Sequence, residues 1–234
     1  MTGTNRTDPI HDFIAEAYAA GDPTGWFDRL YAAAEDGAAT VPWNRGAPHR
    51  LLAPWAERRG LDGGGKRALV VGCGFGDDAE YVASLNYDTV AFDIAPAAIR
   101  AAQRRFPDTR VRYLAANLLD PPDDWRESFD LVVECQTVQS LPQPLHPGAI
   151  ANVARFVAPG GTLIVLAAAA REDDAPHDDP PWPLTPSEID RFAAESLDPV
   201  DIAVIADADQ PAVRRWCAEF RSPHGTGDVT IGIG

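Results

Sequence analysis

The chain has 234 residues, 20 Lys+Arg against 35 Asp+Glu, and a formal net charge of −15, a field that repels a phosphate backbone and argues against nucleic acid as a partner. With 45% hydrophobic residues the composition is that of a globular protein, which excludes wholesale disorder. Three scattered cysteines without a C-x-x-C pair suggest neither a disulfide framework nor a zinc site, and no metal ligand set is expected.

Three helices are predicted before the first strand. Ile10, Phe13, Ile14 and Ala17 recur at helical spacing behind Asp8-Pro9, with Asp8 as the expected cap. Thr24 is expected to cap a second helix carrying Trp26, Phe27, Leu30 and Tyr31. A third runs from about His49 to Arg59 and ends at the glycine-rich run Gly60–Gly65. From Arg67 onward strands and helices alternate. Strands are read at 68–71, 89–92, 111–114, 129–134 and 162–167. Helices are read at about 77–85 and 96–106, with another starting near Pro147. Pro159-Gly160-Gly161 reads as a turn into the fifth strand. Thr185-Pro186-Ser187-Glu188 is a capping box that opens the last helix, and two final strands near 200–205 and 213–220 are expected to pair antiparallel.

This pattern predicts an α/β fold, doubly wound, with a mainly parallel seven-stranded sheet and an antiparallel C-terminal hairpin. Residues 1–221 are expected to form one domain, with 1–65 a helical cap over the active site, 66–221 a Rossmann-like core, and 222–234 a loosely ordered tail. The longest apolar run, Leu163–Ala170, is too short to span a membrane. The polar N-terminus shows no charged leader before an apolar stretch, so a cytoplasmic location is expected. No feature points to an oligomeric state.

The chemistry is concentrated where the first strand meets Gly72-Cys73-Gly74-Phe75-Gly76, with Asp93 at the end of the second strand. Glycines let a ligand approach the backbone closely, and a carboxylate in that place accepts hydrogen bonds from both hydroxyls of a ribose. The spacing is G-x-G-x-G, not the dinucleotide G-x-G-x-x-G, and Asp77 and Asp78 follow at once. Two acids are poor neighbours for a pyrophosphate on this helix N-terminus. The loop therefore suits a cofactor without phosphate, whose zwitterionic amino-acid end lies against the glycines. S-adenosylmethionine answers that description. An NAD-dependent oxidoreductase and a non-catalytic cofactor-binding module stand as alternatives.

With Leu114-Ala115-Ala116-Asn117-Leu118, Phe129-Asp130-Leu131-Val132-Val133-Glu134 and Val157-Ala158-Pro159-Gly160-Gly161-Thr162-Leu163, the loop and Asp93 form a series of blocks that resembles class I S-adenosylmethionine-dependent methyltransferases in the same order. Val41-Pro42-Trp43-Asn44-Arg45-Gly46 and Asp179-Pro180-Pro181-Trp182-Pro183-Leu184 resemble flanking segments of the thiopurine and thiol or halide methyltransferases, whereas Glu134-Cys135-Gln136-Thr137 departs from the thiopurine pattern.

The resemblance implies that Gly72, Cys73 and Gly74 cradle the methionine end, Asp93 and Ile94 the ribose, and Asn117 and Leu118 the adenine, with Glu134 near the methyl group. Asn117 stands where the family usually has Asp, and a turn-forming role fits it equally. Trp26 and Trp43 are expected to close over the sulfonium, which an aromatic face attracts; core packing is the alternative for Trp26.

The acceptor implied is a small molecule, with sulfur favoured over oxygen or nitrogen, walled by Trp43, Gln136 and Trp182. Candidate bases are His11, His49, His146, His177 and Glu134, with His146 and Glu134 foremost. A cap or surface role is the alternative for His146, and bonding of loop backbone is the alternative for Glu134. Arg171–Asp179 reads as a solvated loop or a lid, and Arg171 as a neutraliser of its acidic neighbours or a contact to an anionic acceptor.

Overall fold

The structure, a computed structural model, describes residues 9–175, 179–207 and 213–224. In chain order the elements are α1 Ile10–Ala19, α2 Gly25–Glu35, α3 Leu52–Arg59, β1 Arg67–Val71, α4 Asp77–Ser84, β2 Asp88–Asp93, α5 Pro96–Arg105, β3 Arg112–Ala115, β4 Phe129–Cys135, α6 His146–Arg155, β5 Val157–Ala168, α7 Pro186–Ala194, β6 Asp198–Ala206 and β7 Arg214–Arg221. One seven-stranded sheet has the order β3-β2-β1-β4-β5-β7-β6. The first five strands pair in parallel, and β7 lies antiparallel between β5 and β6.

The period of two in β1 explains the layers. Leu69 and Val71 join Phe92, Trp125 and Phe129 on one face, under α6 and α7, while Ala68 and Val70 join Val82, Ile99 and Trp55 on the other, under α3, α4 and α5. A third apolar cluster joins Ile14 of α1 and Trp26, Leu30 and Tyr31 of α2 to Ala95, Ala97 and Ala98 at the head of α5. Asp28 fastens that contact by accepting from the Ala97 amide at 2.7 Å. On the other side Glu219 of β7 accepts from Trp55 Nε1 at 2.8 Å and from Arg59 Nε at 2.7 Å, which pins α3 to the sheet. Helices α1 and α2 are thus fastened at the head of α5, past the C-terminal end of β2, while α3 lies on the face of the sheet. No helix among the described residues is long and apolar enough to cross a membrane.

Three local expectations are corrected. Thr24 makes no side-chain cap; Asp22 Oδ1 accepts from the amides of Thr24 at 3.2 Å and Gly25 at 2.9 Å instead, a carboxylate being favoured at a helix N-terminus. Helix α3 starts at Leu52 rather than His49, because the His49 amide is drawn to Asp78 Oδ1 at 2.6 Å and lies outside the helix. Pro159-Gly160-Gly161 does not separate helix from strand: β5 runs through it, and Gly160, at φ +75°, coincides with a ladder irregularity between Phe129 and Leu131. The capping box at Thr185 forms, with the Thr185 hydroxyl accepting from the Glu188 amide and the Glu188 carboxylate accepting from the Thr185 amide. Asp8, His177 and the tail beyond residue 224 lie outside the described residues.

Candidate active site

A cavity of about 490 Å³ opens at the C-terminal ends of β1, β2 and β4, beneath α1, α2 and the Pro42–Ala47 loop. That is where ligands bind in open α/β sheets, and the size suits a small-molecule site. Its floor is the glycine loop. Gly72 has φ +61° and Gly74 φ +51°, a region costly to any residue with a side chain. Space makes the same demand: a Cβ at Gly72 would stand 2.2 Å from Thr137 Oγ1, and one at Gly74 2.8 Å from Tyr31 Oη. The loop therefore stays bare, and its backbone faces the cavity.

Asp93 ends β2 at the cavity wall. Its Oδ2 accepts from the Gly74 amide and its Oδ1 from the Ala95 amide, each at 2.9 Å. A carboxylate offers about four acceptor positions, so with these amides bound it retains capacity for a ribose hydroxyl. Burial pushes this carboxyl up to about 6, with the amides of Ala95, Gly74 and Ile94 pulling it back and Asp28 adding to the rise. Ile94, Asn117 and Leu118 line the wall beyond it. Asn117 Oδ1 accepts from the Leu119 amide at 2.9 Å, so the residue builds a turn and lines the cavity at once.

The roof is aromatic. Trp26 stacks on Phe27 with centroids 3.8 Å apart, and Trp43 stands edge-on to Trp26, Phe27 and Tyr31 at 6.1–6.3 Å. Trp26 is both core and cavity lining, and its Nε1 is buried without a protein partner. The bare cradle, the spare acceptor positions of Asp93, the ring faces and this orphaned donor fit a zwitterionic sulfonium nucleoside.

Two expected bases are elsewhere. His146 is fully buried, with Nδ1 2.6 Å from Glu188 Oε1 and Nε2 2.8 Å from the Leu141 carbonyl. Both nitrogens face acceptors on neighbouring elements, and the residue lies outside the cavity lining; it ties α6 to α7. Glu134 is buried beneath the loop that follows β4, outside the lining, and its Oε1 accepts from the amides of Thr137 at 2.8 Å and Val138 at 3.0 Å. It holds that loop, and burial raises its carboxyl to about 7.

Trp182 is also corrected. It is buried with its amide on the Gln139 carbonyl at 2.7 Å, and Pro180 and Pro181 face the cavity in its place. Gln136, at φ +61°, does line the cavity, as do Trp43, Cys73, Gln139 and the exposed His11. Arg171 does not; it pairs with Asp173 in the open.

Beside the glycine loop His49, one of the candidate bases, is grouped with two residues that the sequence did not single out as site residues, Asp78 and Cys135. Asp78, half-buried and raised by desolvation, accepts from the His49 amide and interacts with Cys135, and all three line the cavity. His49 Nδ1 lies 3.3 Å from the Leu51 amide and accepts from it, which leaves the proton on Nε2, a buried atom with no partner. Tyr31 and Thr137, read as helix stripe and loop, complete the enclosure. Among the described residues no group of His, Cys, Asp and Glu is placed to hold a metal ion.

Residues 68–161, which include the whole cradle, match the family model of a methyltransferase domain. The chain carries a methyltransferase domain. S-adenosylmethionine is its methyl donor, and the oxidoreductase alternative falls. Over 217 residues, 89% of each chain, the methyltransferase is 26% identical to a probable thiol methyltransferase 2 of Arabidopsis thaliana. Among solved structures it resembles the N-methyltransferase NodS of Bradyrhizobium japonicum in complex with S-adenosylhomocysteine, at 21% identity and a TM-score of 0.63, covering 84% of this chain and 100% of that one. It also resembles 1,6-didemethyltoxoflavin-N1-methyltransferase of Burkholderia thailandensis, at 16% identity and 0.60, covering 95% and 93%. At these identities the two structures show a common fold.

Proposed function

We propose that this methyltransferase acts on a small molecule and delivers the methyl group to sulfur. The carrying observation is where the two foremost candidate bases lie: His146 and Glu134 both sit outside the cavity lining, His146 between α6 and α7 and Glu134 with Oε1 on the loop after β4, while His49 in the lining is held neutral by burial and keeps its one proton-accepting nitrogen on the Leu51 amide. A thiol, with an ordinary pKa of about 8.5, supplies its own anion near neutral pH and needs no dedicated side-chain base. The likeness to the Arabidopsis thiol methyltransferase along nearly the whole chain supports the same reading.

S-adenosylmethionine supplies an electrophilic methyl group on a sulfonium. A lone pair of the acceptor forms the new bond to that carbon as the bond to the cofactor sulfur breaks, and the acceptor proton leaves to solvent beforehand. The protein's share is placement and dryness. The glycine loop and Asp93 fix the donor, and Trp26, Phe27 and Trp43 shut out water above it. Ile14, Leu141, Pro180 and Pro181 provide apolar walls for a compact acceptor approaching to about 3–3.5 Å.

Labelled cofactor offered with thiols, halides and phenols tests the proposal. Thiols should turn over fastest. Phenols as the only substrates would sink it and point to Asp78, the half-buried carboxylate at the cavity wall, as the base.

A further inference from the structure

Tyr31 holds a place that its helical spacing does not reveal. The side chain is buried, lines the cavity, and puts its Oη 2.8 Å from where a Gly74 Cβ would stand, directly over the cofactor cradle. That oxygen accepts from Trp43 Nε1 at 2.8 Å. Among the described residues no acceptor takes the hydroxyl proton of Tyr31. The phenol is a donor as well as an acceptor, so a buried O–H remains to be satisfied above the loop. Burial, with Asp93 and Cys73 adding to it and the Trp43 bond opposing, raises the phenol well above its ordinary value, so the proton stays. The ring is braced edge-on by Trp43 at 6.2 Å and Phe75 at 5.1 Å.

Resting on the assignment of the methyl donor, we infer that Tyr31 is a cofactor-positioning residue whose hydroxyl donates to the carboxylate of the methionine end, with Trp43 setting the direction of the O–H. The ribose is served by Asp93 and the adenine by the Asn117 region, so the group left over Gly74 is the amino-acid end. Its carboxylate is an acceptor only, which matches the free phenolic proton over Gly74. Trp43 Nε1–H is spent on Tyr31, so Trp43 serves the cofactor through its ring and through the phenol. The cap thereby reads whether the ligand carries its amino-acid moiety.

Calorimetry with two ligands tests this: S-adenosylhomocysteine, and 5′-methylthioadenosine, which lacks the amino-acid end. Tyr31→Phe should weaken S-adenosylhomocysteine binding by at least about tenfold, as for loss of a bond to a charged group, and leave 5′-methylthioadenosine within about twofold. Trp43→Phe, which keeps a ring and loses the N–H, should show a smaller loss of the same selectivity. Equal losses for both ligands, or none for S-adenosylhomocysteine, would overturn the inference, the first by reducing Tyr31 to packing. Should Tyr31→Phe fail to fold, the methyl ester of S-adenosylhomocysteine makes the cut on the ligand side. Wild-type protein should then lose about tenfold on esterification, and an unchanged affinity would equally refute the role. Wild-type protein that binds neither ligand would instead remove the donor assignment on which the inference stands.

Discussion

The Gly74 amide donates to Asp93 Oδ2 at 2.9 Å, so the carboxylate proposed to receive the ribose is wired to the loop proposed to receive the methionine end. On that proposal the two contacts are not independent, and the charge of Asp93 bears on both. With its carboxyl at about 6, cofactor affinity measured by calorimetry should fall as the pH drops below about 6, and Asp93→Asn should flatten that profile. The stability of the cofactor-free protein should move the other way. The folded value lies above the ordinary 3.8, so between about pH 4 and 6 the folded state keeps a proton that the unfolded chain has lost. This contribution is complete below about pH 4 and is lost as the pH rises through 6. An Asp93→Asn melt with the same slope over that window as wild type would contradict it.

Gly72→Ala should be damaging in two separable ways. The φ of +61° costs a side-chain residue about 1–2 kcal/mol, and the new Cβ meets Thr137 Oγ1, which holds the Val71 carbonyl at 2.9 Å. A total loss of about 2–4 kcal/mol in urea unfolding is expected. Adding Thr137→Ala should return part of it by relieving the clash and leave the backbone part. A double variant no better than Gly72→Ala would assign the whole loss to the backbone.

His146→Leu should be a stability variant and not a chemical one. It removes bonds to Glu188 and Leu141 from a fully buried site, which is expected to cost about 2–4 kcal/mol. Assayed below its melting temperature, the variant should keep kcat within about twofold and leave the pH–rate profile unmoved. A shifted profile would return His146 to the chemistry.

His49 should remain neutral across the working pH range. Burial holds its ring down at about 3, helped by Arg45, Arg215 and Arg50 and opposed by Asp207. In ring-labelled NMR the His49 carbon shifts should stay constant from pH 8 to 5, in the Nε2–H tautomer. With the folded value below the ordinary 6.5, this group stabilises the protein fully above about 6.5, and the contribution is lost as the pH falls toward 3. A titration midpoint near 6 would show that the ring is open to solvent.

Much of the fold was legible because it is written locally. The alternation of strand and helix, the capping box from Thr185 to Glu188 and the G-x-G-x-G turn all act over a few residues. So does Asp93 at a strand end: the backbone there has few alternatives, and the same few residues line the floor and wall of the cavity. The roles of the titratable and aromatic side chains were settled elsewhere. His146 meets Glu188 across 42 positions, Asp78 meets His49 across 29, and Trp43 meets Tyr31 across 12. Whether a histidine is a base or a bolt depends on which acceptors the packed elements bring to its nitrogens. Whether a tryptophan walls a cavity or fills the core depends on how a loop lies against the sheet, which is how Pro180 and Pro181 came to line the site in place of Trp182. The sequence by itself pointed to the methyl donor, because the G-x-G-x-G spacing, the acids Asp77 and Asp78 that follow it and Asp93 are all read within short stretches of chain. Only the tertiary structure decided what surrounds the methyl group, because burial and partnership are properties of residues distant in the chain.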